Sequence, residues 1–315
     1  MTLHQNEIAV DEALVGALLA AQRPEWAQLP LAPAGSGTDN TLYRLGDDLL
    51  VRLPRTPGNG RSVGKERRWL PRLAPRLTRA VPEPVHAGTP TDAFPVAWSD
   101  YRWIDGEEAG PDTVSDWAAF GADLAATVRE LHAVDLMGAT RGDDLSWYRG
   151  GSLRPCDEPV SASFADCRAA EGAEFDVDTL ERLWRAGLAL PDPAAPHVWL
   201  HGDLKPTNHL VRDGGLHAVI DFGALSVGFP DAEHATVWDC RPRHVTPTGT
   251  PSASTTRPGP RPPACPIPQV GGGRTVQGAA PVRAGGSPGP GGSSEKPGKI
   301  LAGDVETPWP APSQG

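Results

Sequence analysis

Along the first 239 residues apolar positions recur in short runs between polar breaks, and their period switches between two and about three and a half. TLYRLGDDLLVRLP (41–54) alternates on either side of Gly-Asp-Asp and predicts a β-hairpin. VGKERRWLPRLAPRL (63–77) spaces apolar and basic residues as a helix does, with Pro71 expected to end or kink it. AFPVAWSDYRWIDGE (93–107) reads as extended chain. SDWAAFGADLAATVRELHAVD (115–135) predicts an amphipathic helix opened by a Ser115 cap, and DVDTLERLWRAGLAL (176–190) predicts another. VWLHGDLKPTNHLVRDGGLHAVIDFG (198–223) reads as strand, loop, strand, turn, strand. The pattern describes an α+β chain: a β-rich first part (1–103) ending in WSDYRW, and a mainly helical second part (104–239) that carries a short hairpin.

After Asp239 the periodicity stops. Residues 240–315 hold 16 Pro and 14 Gly, a density that marks low-complexity chain unable to bury enough apolar surface to order itself. Two readings fit this tail. One is a natural disordered extension. The other is a frameshift in a GC-rich gene: codons for CRPRHVTPTGTPSASTTRPGP (240–260), read one nucleotide earlier, can spell the helix-like LPAAARDAYRDALGLDDPAWA, and this is the reading favoured.

Charge sharpens the contrast. The whole chain carries −10, but the tail has 8 Lys and Arg against 3 Asp and Glu, so the preceding body carries −15. An acidic body disfavours nucleic acid and anionic membranes as partners. No apolar run approaches transmembrane length, and Cys156, Cys167, Cys240 and Cys265 show neither metal-binding nor paired spacing, so a reduced, cytoplasmic setting is expected.

Candidate chemistry concentrates in WLHGDLKPTNHLV (199–211). An Asp and an Asn flanking a Pro make an ordinary turn on their own. Here, however, Asp203 and Asn208 stand at the spacing of a kinase catalytic loop, and Asp221 follows in Ile-Asp-Phe-Gly, where a magnesium ligand belongs. Phosphoryl transfer needs these parts: a carboxylate to orient the acceptor, hard oxygens for Mg²⁺, and cations on the phosphates.

HGDLKPTN with IDFG resembles the aminoglycoside phosphotransferase family over most of residues 30–239. The resemblance implies a two-lobed, protein-kinase-like fold with a β-sheet lobe over a helical lobe, ATP and Mg²⁺ between them, and a small-molecule hydroxyl acceptor. It implies Asp203 as catalytic base, Asn208 and Asp221 as magnesium ligands, His201 as a brace of the loop, and Lys205 near the γ-phosphate. Gly35, Ser36 and Gly37 stand where the family places its phosphate-covering loop, although Gly-Ser-Gly equally suits a linker. Arg52 takes the place of the strand cation and Glu66 that of its helix partner. WSDYRW (98–103) would be the hinge that reads adenine through backbone groups.

Weaker candidates are His132, read as a brace, and the acidic run Asp105, Glu107, Glu108, Asp112 and Asp116, which either attracts a polycation or is simply solvated. Trp147, Tyr148 and Trp184 fall in the acceptor segment but equally suit a core. Asp231 stands in for a second family Asp missing from ALSVGFPDAEHA. DLKPTN also suits a protein Ser/Thr kinase, although no Ala-Pro-Glu follows. A catalytically impaired nucleotide-binding remnant, lacking the acceptor floor after Asp239, is the third reading.

Overall fold

The computed structural model describes residues 6–169 and 176–235. Both readings of the 240–315 tail therefore lie outside the described residues. Helix α1 (Glu12–Gln22) opens on Asp11, whose carboxylate accepts from Leu14 N at 2.8 Å. Strands β1 (Leu31–Ser36), β2 (Asn40–Leu45) and β3 (Leu49–Pro54) follow as a meander, and the expected hairpin is β2–β3, turning at Gly46 with φ 58°. Then come α2 (Arg61–Leu73), β4 (Pro84–Gly88), β5 (Trp98–Arg102) and the short β6 (Glu107–Glu108). The first sheet is antiparallel with order β1-β2-β3-β5-β4.

Helices α3 (Trp117–Ala133), α4 (Asp157–Ala169) and α5 (Val177–Leu188) come next, followed by β7 (Val198–Leu200), β8 (His209–Arg212), β9 (Gly215–Val219) and β10 (Ser226–Gly228). A small sheet runs β6-β8-β9, and β7 pairs with β10. Phe120, Leu124, Thr127 and Leu131 form the buried stripe of α3 at helical spacing.

The two faces of the first sheet have different fates. Val51, Trp98 and Tyr43 pack with Val15, Leu18 and Leu19 under α1. The opposite face carries Arg52, Ser99 and Tyr101. Helix α2 does not join the core under α1. Its Trp69, Leu70 and Leu73 are buried with Phe120, Leu124, Leu131, Trp199 and Phe222, with Trp69 and Trp199 ring centroids 4.7 Å apart. One apolar cluster thus binds α2 to α3 and to the strands around HGDLKPTN, and it fixes the position of whatever α2 carries.

Three local expectations need correction. The cap of α3 is Asp116, which accepts from Ala118 N and Ala119 N, while Ser115 instead donates to Gly214 O. Pro71 lies inside α2 near its end, and the helix continues to Leu73. Most of WSDYRW is strand β5, hydrogen-bonded on both sides, so its side chains carry structure: Trp98 and Asp100 point into one core, and Tyr101 into the other.

Asp100 has no exposure, and its Oδ2 lies 2.8 Å from His86 Nδ1. Burial pushes the Asp100 carboxyl up to about 8, against the pull of Arg23, and burial likewise pulls His86 down, so at neutral pH a neutral acid donates to a neutral ring. The unfolded carboxyl loses its proton near pH 4, whereas the folded one keeps it to about 8. Stability from this group is therefore complete below that lower value and declines as pH rises through the window, by up to roughly 1.4 kcal/mol per unit. Asp100→Asn is expected to flatten the fall in melting temperature between about pH 5 and pH 8. Parallel profiles for the two proteins would refute the assignment.

Candidate active site

The HGDLKPTN loop leaves β7 with His201 and enters β8 after Asn208. Gly202 sits at φ 84°, and a Cβ there would lie 2.7 Å from Ala224 O, so only glycine fits this turn. His201 is buried. Its Nε2 meets Ile220 O at 3.0 Å while its Nδ1 accepts from Asp203 N at 3.1 Å, an arrangement that requires the proton on Nε2. The ring therefore ties the loop to the strand end that carries Asp221.

Asp203 is gripped on both oxygens. Asn208 Nδ2 donates to its Oδ2 at 3.1 Å and to its backbone O at 2.8 Å, and Lys205 Nζ lies 3.3 Å from Oδ2. Arg149 Nη1 donates to Oδ1 at 2.6 Å. Burial alone would raise this carboxyl, but the charges of Lys205 and Arg149 outweigh it and hold Asp203 below the ordinary carboxylate range.

On the first sheet, Arg52 of β3 is saturated with partners. Its Nη1 donates to both Glu66 oxygens at 3.0 Å, and its Nη2 donates to Asp221 Oδ1 at 2.8 Å. With the Asn40 amide oriented to satisfy both groups, its oxygen accepts from Arg52 Nη2 and Nε at 3.0 Å each. Glu66 on α2 has no exposure and also accepts from Tyr101 OH at 2.7 Å. Asp221 stands at φ 62°, a left-handed conformation that a non-glycine residue adopts only where its surroundings hold it. Arg52, Glu66 and Asp221 thus form one cluster, and Asp203, Lys205, Asn208 and His201 another, joined through the Asp221 strand end.

Gly35 and Gly37 lie at the β1–β2 turn. Gly35 takes φ 124°, and a Cβ on either would meet nothing within 4 Å, so at Gly35 the glycine answers to backbone freedom and not to crowding. Gly37 N donates to Asn40 O at 2.9 Å, and Ser36 ends β1 between them. Oxygen donors for a divalent cation are present in Asp221 and Asn208. Among the described residues no group of three or more His, Cys, Asp or Glu surrounds a metal position. The carboxylate of Asp221 and the amide oxygen of Asn208 are hard donors that fit Mg²⁺, which takes one or two protein oxygens and leaves the rest to phosphate and water.

The profile of the phosphotransferase enzyme family matches residues 30–253. The chain belongs to that family. Its fold is shared with aminoglycoside phosphotransferases. A GDP and kanamycin complex of APH(2″)-IIIa superposes with a TM-score of 0.57 at 22% identity, covering 72% of this chain and 78% of that one. A GDP complex of wild-type aminoglycoside 2′-phosphotransferase-IIIa gives 0.58 at 21% identity, covering 73% and 79%. A streptomycin–ATP–APH(2″)-IIa ternary complex gives 0.51 at 18%, covering 74% and 77%. No curated protein matches the chain.

Three residues of this phosphotransferase site escaped the sequence reading. Glu233, and not Asp231, braces the loop: it is buried and accepts from Gly202 N at 3.0 Å, while Asp231 is exposed. Burial raises the Glu233 carboxyl, against the hydrogen bond from Gly202 N. Lys65, beside Glu66 on α2, is buried and donates to Gly223 O at 2.7 Å, which fastens α2 to the Asp-Phe-Gly turn. Burial pulls its ammonium down and Glu66 opposes. Arg149 is the third; the glycine pair after it marks a turn, and nothing more in the sequence pointed to it.

The weaker candidates disperse. Asp116 is spent on the α3 cap, whereas Asp105 and Glu107 line a cleft of about 450 Å³ with Arg212 and Asp213. Glu108 and Asp112 are exposed. Trp184 packs with Cys156, Val160 and Phe164 and donates to Asp157 Oδ1 at 3.0 Å, so it serves a local core. Trp147 and Tyr148 rings sit 5.0 Å apart, beside Arg149. His132 lies on α3 with a buried Nε2 that has no hydrogen-bond partner among the described residues, so no brace is made through that atom. Among the described residues no helix is long and apolar enough to cross a membrane.

Proposed function

We propose that this phosphotransferase transfers the γ-phosphoryl group of ATP to a hydroxyl of a small molecule, such as an aminoglycoside-like antibiotic, a sugar or an amino alcohol. One observation carries the reading: Arg52 bridges Glu66 on α2 and Asp221 on the Asp-Phe-Gly turn simultaneously. A strand cation, a helix carboxylate and a loop carboxylate meeting at one guanidinium is the arrangement that aligns phosphates and a metal.

In this reading residues 1–103 form the nucleotide lobe and 104–239 the catalytic lobe. Arg52 exchanges its bond to Asp221 for phosphate oxygens while Glu66 keeps it in place. The glycine turn at Gly35, Ser36 and Gly37 lies over the phosphates. Asp221 and Asn208 would hold Mg²⁺, which would offset charge on the transferring group. Asp203 accepts a hydrogen bond from the acceptor hydroxyl and aims its oxygen at the γ-phosphorus. As the new P–O bond forms, the bond to the β–γ bridging oxygen breaks, ADP leaves, and the hydroxyl proton passes to Asp203. A carboxylate held below its ordinary range is a weak base, so its main work is orientation, with proton transfer late. Lys205 neutralises charge beside Asp203 and reaches toward the γ-phosphate, and His201 keeps the loop in register.

The test is ADP release from Mg·ATP across a panel of hydroxyl acceptors that includes kanamycin, gentamicin, streptomycin, macrolides and simple sugars. Acceptor-dependent release that disappears without Mg²⁺ supports the proposal. ATP binding without release on any acceptor would replace it with the nucleotide-binding remnant.

A further inference from the structure

The loop that follows α3 is built to deliver one side chain. Arg141 Nη2 donates to Trp147 O at 2.6 Å and its Nη1 to Val227 O at 3.0 Å, which pins the start of Trp147-Tyr148-Arg149-Gly150-Gly151 against β10. Gly150 stands at φ 77°, and a Cβ there would fall 2.3 Å from Leu200 Cδ1. Phe229 N donates to Gly150 O at 2.8 Å, and a Cβ on Gly228 would lie 2.4 Å from that same oxygen. Two glycines therefore let this loop lie directly on the β7–β10 pair, whose β7 runs straight into HGDLKPTN.

The result is a guanidinium set on the catalytic loop from the side opposite Asn208. Arg149 Nη1 donates to Gly202 O at 2.8 Å and to Asp203 Oδ1 at 2.6 Å, while its Nε donates to Tyr148 OH at 3.0 Å. Asn208 and Lys205 engage the other oxygen, Oδ2. Without Arg149 the carboxylate would be held at one end and could turn about its Cβ–Cγ bond.

We propose that Arg149 is a positioning residue for phosphoryl transfer, fixing the plane of the Asp203 carboxylate so that one lone pair of Oδ1 faces the acceptor hydroxyl. This rests on the assignment of Asp203 made above. Orientation errors of about an ångström cost on the order of a hundredfold in rate, so the lost constraint should be visible in turnover and not in nucleotide affinity.

The experiment compares the wild type with Arg149→Ala, Arg149→Lys and Asp203→Asn. It measures ADP release from Mg·ATP with the acceptor found in the panel, or with water when the panel returns none. Arg149→Ala is expected to lower kcat roughly 10–100-fold with the KM for ATP unchanged. Arg149→Lys should recover part of the loss, and guanidinium chloride at sub-denaturing concentration should restore part of it to Arg149→Ala. An unchanged kcat in Arg149→Ala overturns the proposal. So does a loss that comes with a fall in melting temperature and answers neither to lysine nor to guanidinium, since that would mark a merely structural prop. An active Asp203→Asn would instead overturn the reading of the site itself. A dead Asp203→Asn beside a fully active Arg149→Ala would overturn the role of Arg149 alone.

Discussion

Asp203→Asn is expected to lower acceptor-dependent ADP release by roughly 10²–10⁴-fold while leaving ATP binding in place. The amide keeps the size of the carboxylate and can still meet Asn208, so the loop should persist. What it loses is charge and the strong acceptor that the proposed function aims at the hydroxyl. The substitution would also present Arg149 and Lys205 with a neutral partner, and the cations that now surround the carboxylate, at 2.6 and 3.3 Å, would have no charge to offset. The nucleotide side is untouched, because Arg52, Glu66 and Asp221 bond to one another and are held by α2 and the β9 end. Steady-state rates with a separate titration of ATP distinguish the two effects. A variant that transfers phosphoryl groups at the native rate would show that Asp203 is not the acceptor-orienting carboxylate.

How much of this site was legible in the sequence depended on whether its parts are local. Asp203, Asn208 and His201 lie together on one short loop, and Asp221 follows one hairpin later, so spacing alone could group them. Arg52 and Glu66 were legible for a similar reason, since a strand followed by a helix places them a short step apart. The residues that escaped act over long separations. Glu233 reaches back to Gly202, Lys65 reaches Gly223 from another part of the chain, and Arg149 reaches Asp203 through a loop with no regular period. Periodicity reports which face of an element is apolar; it does not report which carbonyl a buried cation will find. The same limit explains WSDYRW. The stretch reads as extended chain, but because both faces of its strand are buried, the polar Ser99 and Asp100 break the alternation that would show which side chains enter which core. Helices α1 and α4 were passed over because their apolar stripes are short, and each is defined by what packs against it.

Arg52→Met should be among the most destabilising single changes in the chain. It would leave Glu66, which has no exposure, as a buried carboxylate with Tyr101 OH as its remaining hydrogen-bond donor among the described residues. Breaking a buried ion pair from one side costs about 3–5 kcal/mol, because the partner's desolvation is no longer offset. For a domain of this size that is a fall of roughly 6–20 °C in melting temperature. The reverse change is expected to be milder. In Glu66→Gln the guanidinium keeps Asp221 at 2.8 Å and Asn40 at 3.0 Å, and the amide oxygen can still accept from Nη1. Combining Arg52→Met with Glu66→Gln should recover much of the loss, since the stranded charge is gone; double-mutant analysis by thermal melting measures this directly. Equal costs for the two single variants would mean that solvent reaches Glu66 freely and the pair behaves as a surface ion pair. The asymmetry has a functional counterpart. Arg52 must leave Asp221 for phosphate in the proposed cycle, so the bond that survives in every state is the one to Glu66, and that is the bond placed out of reach of water.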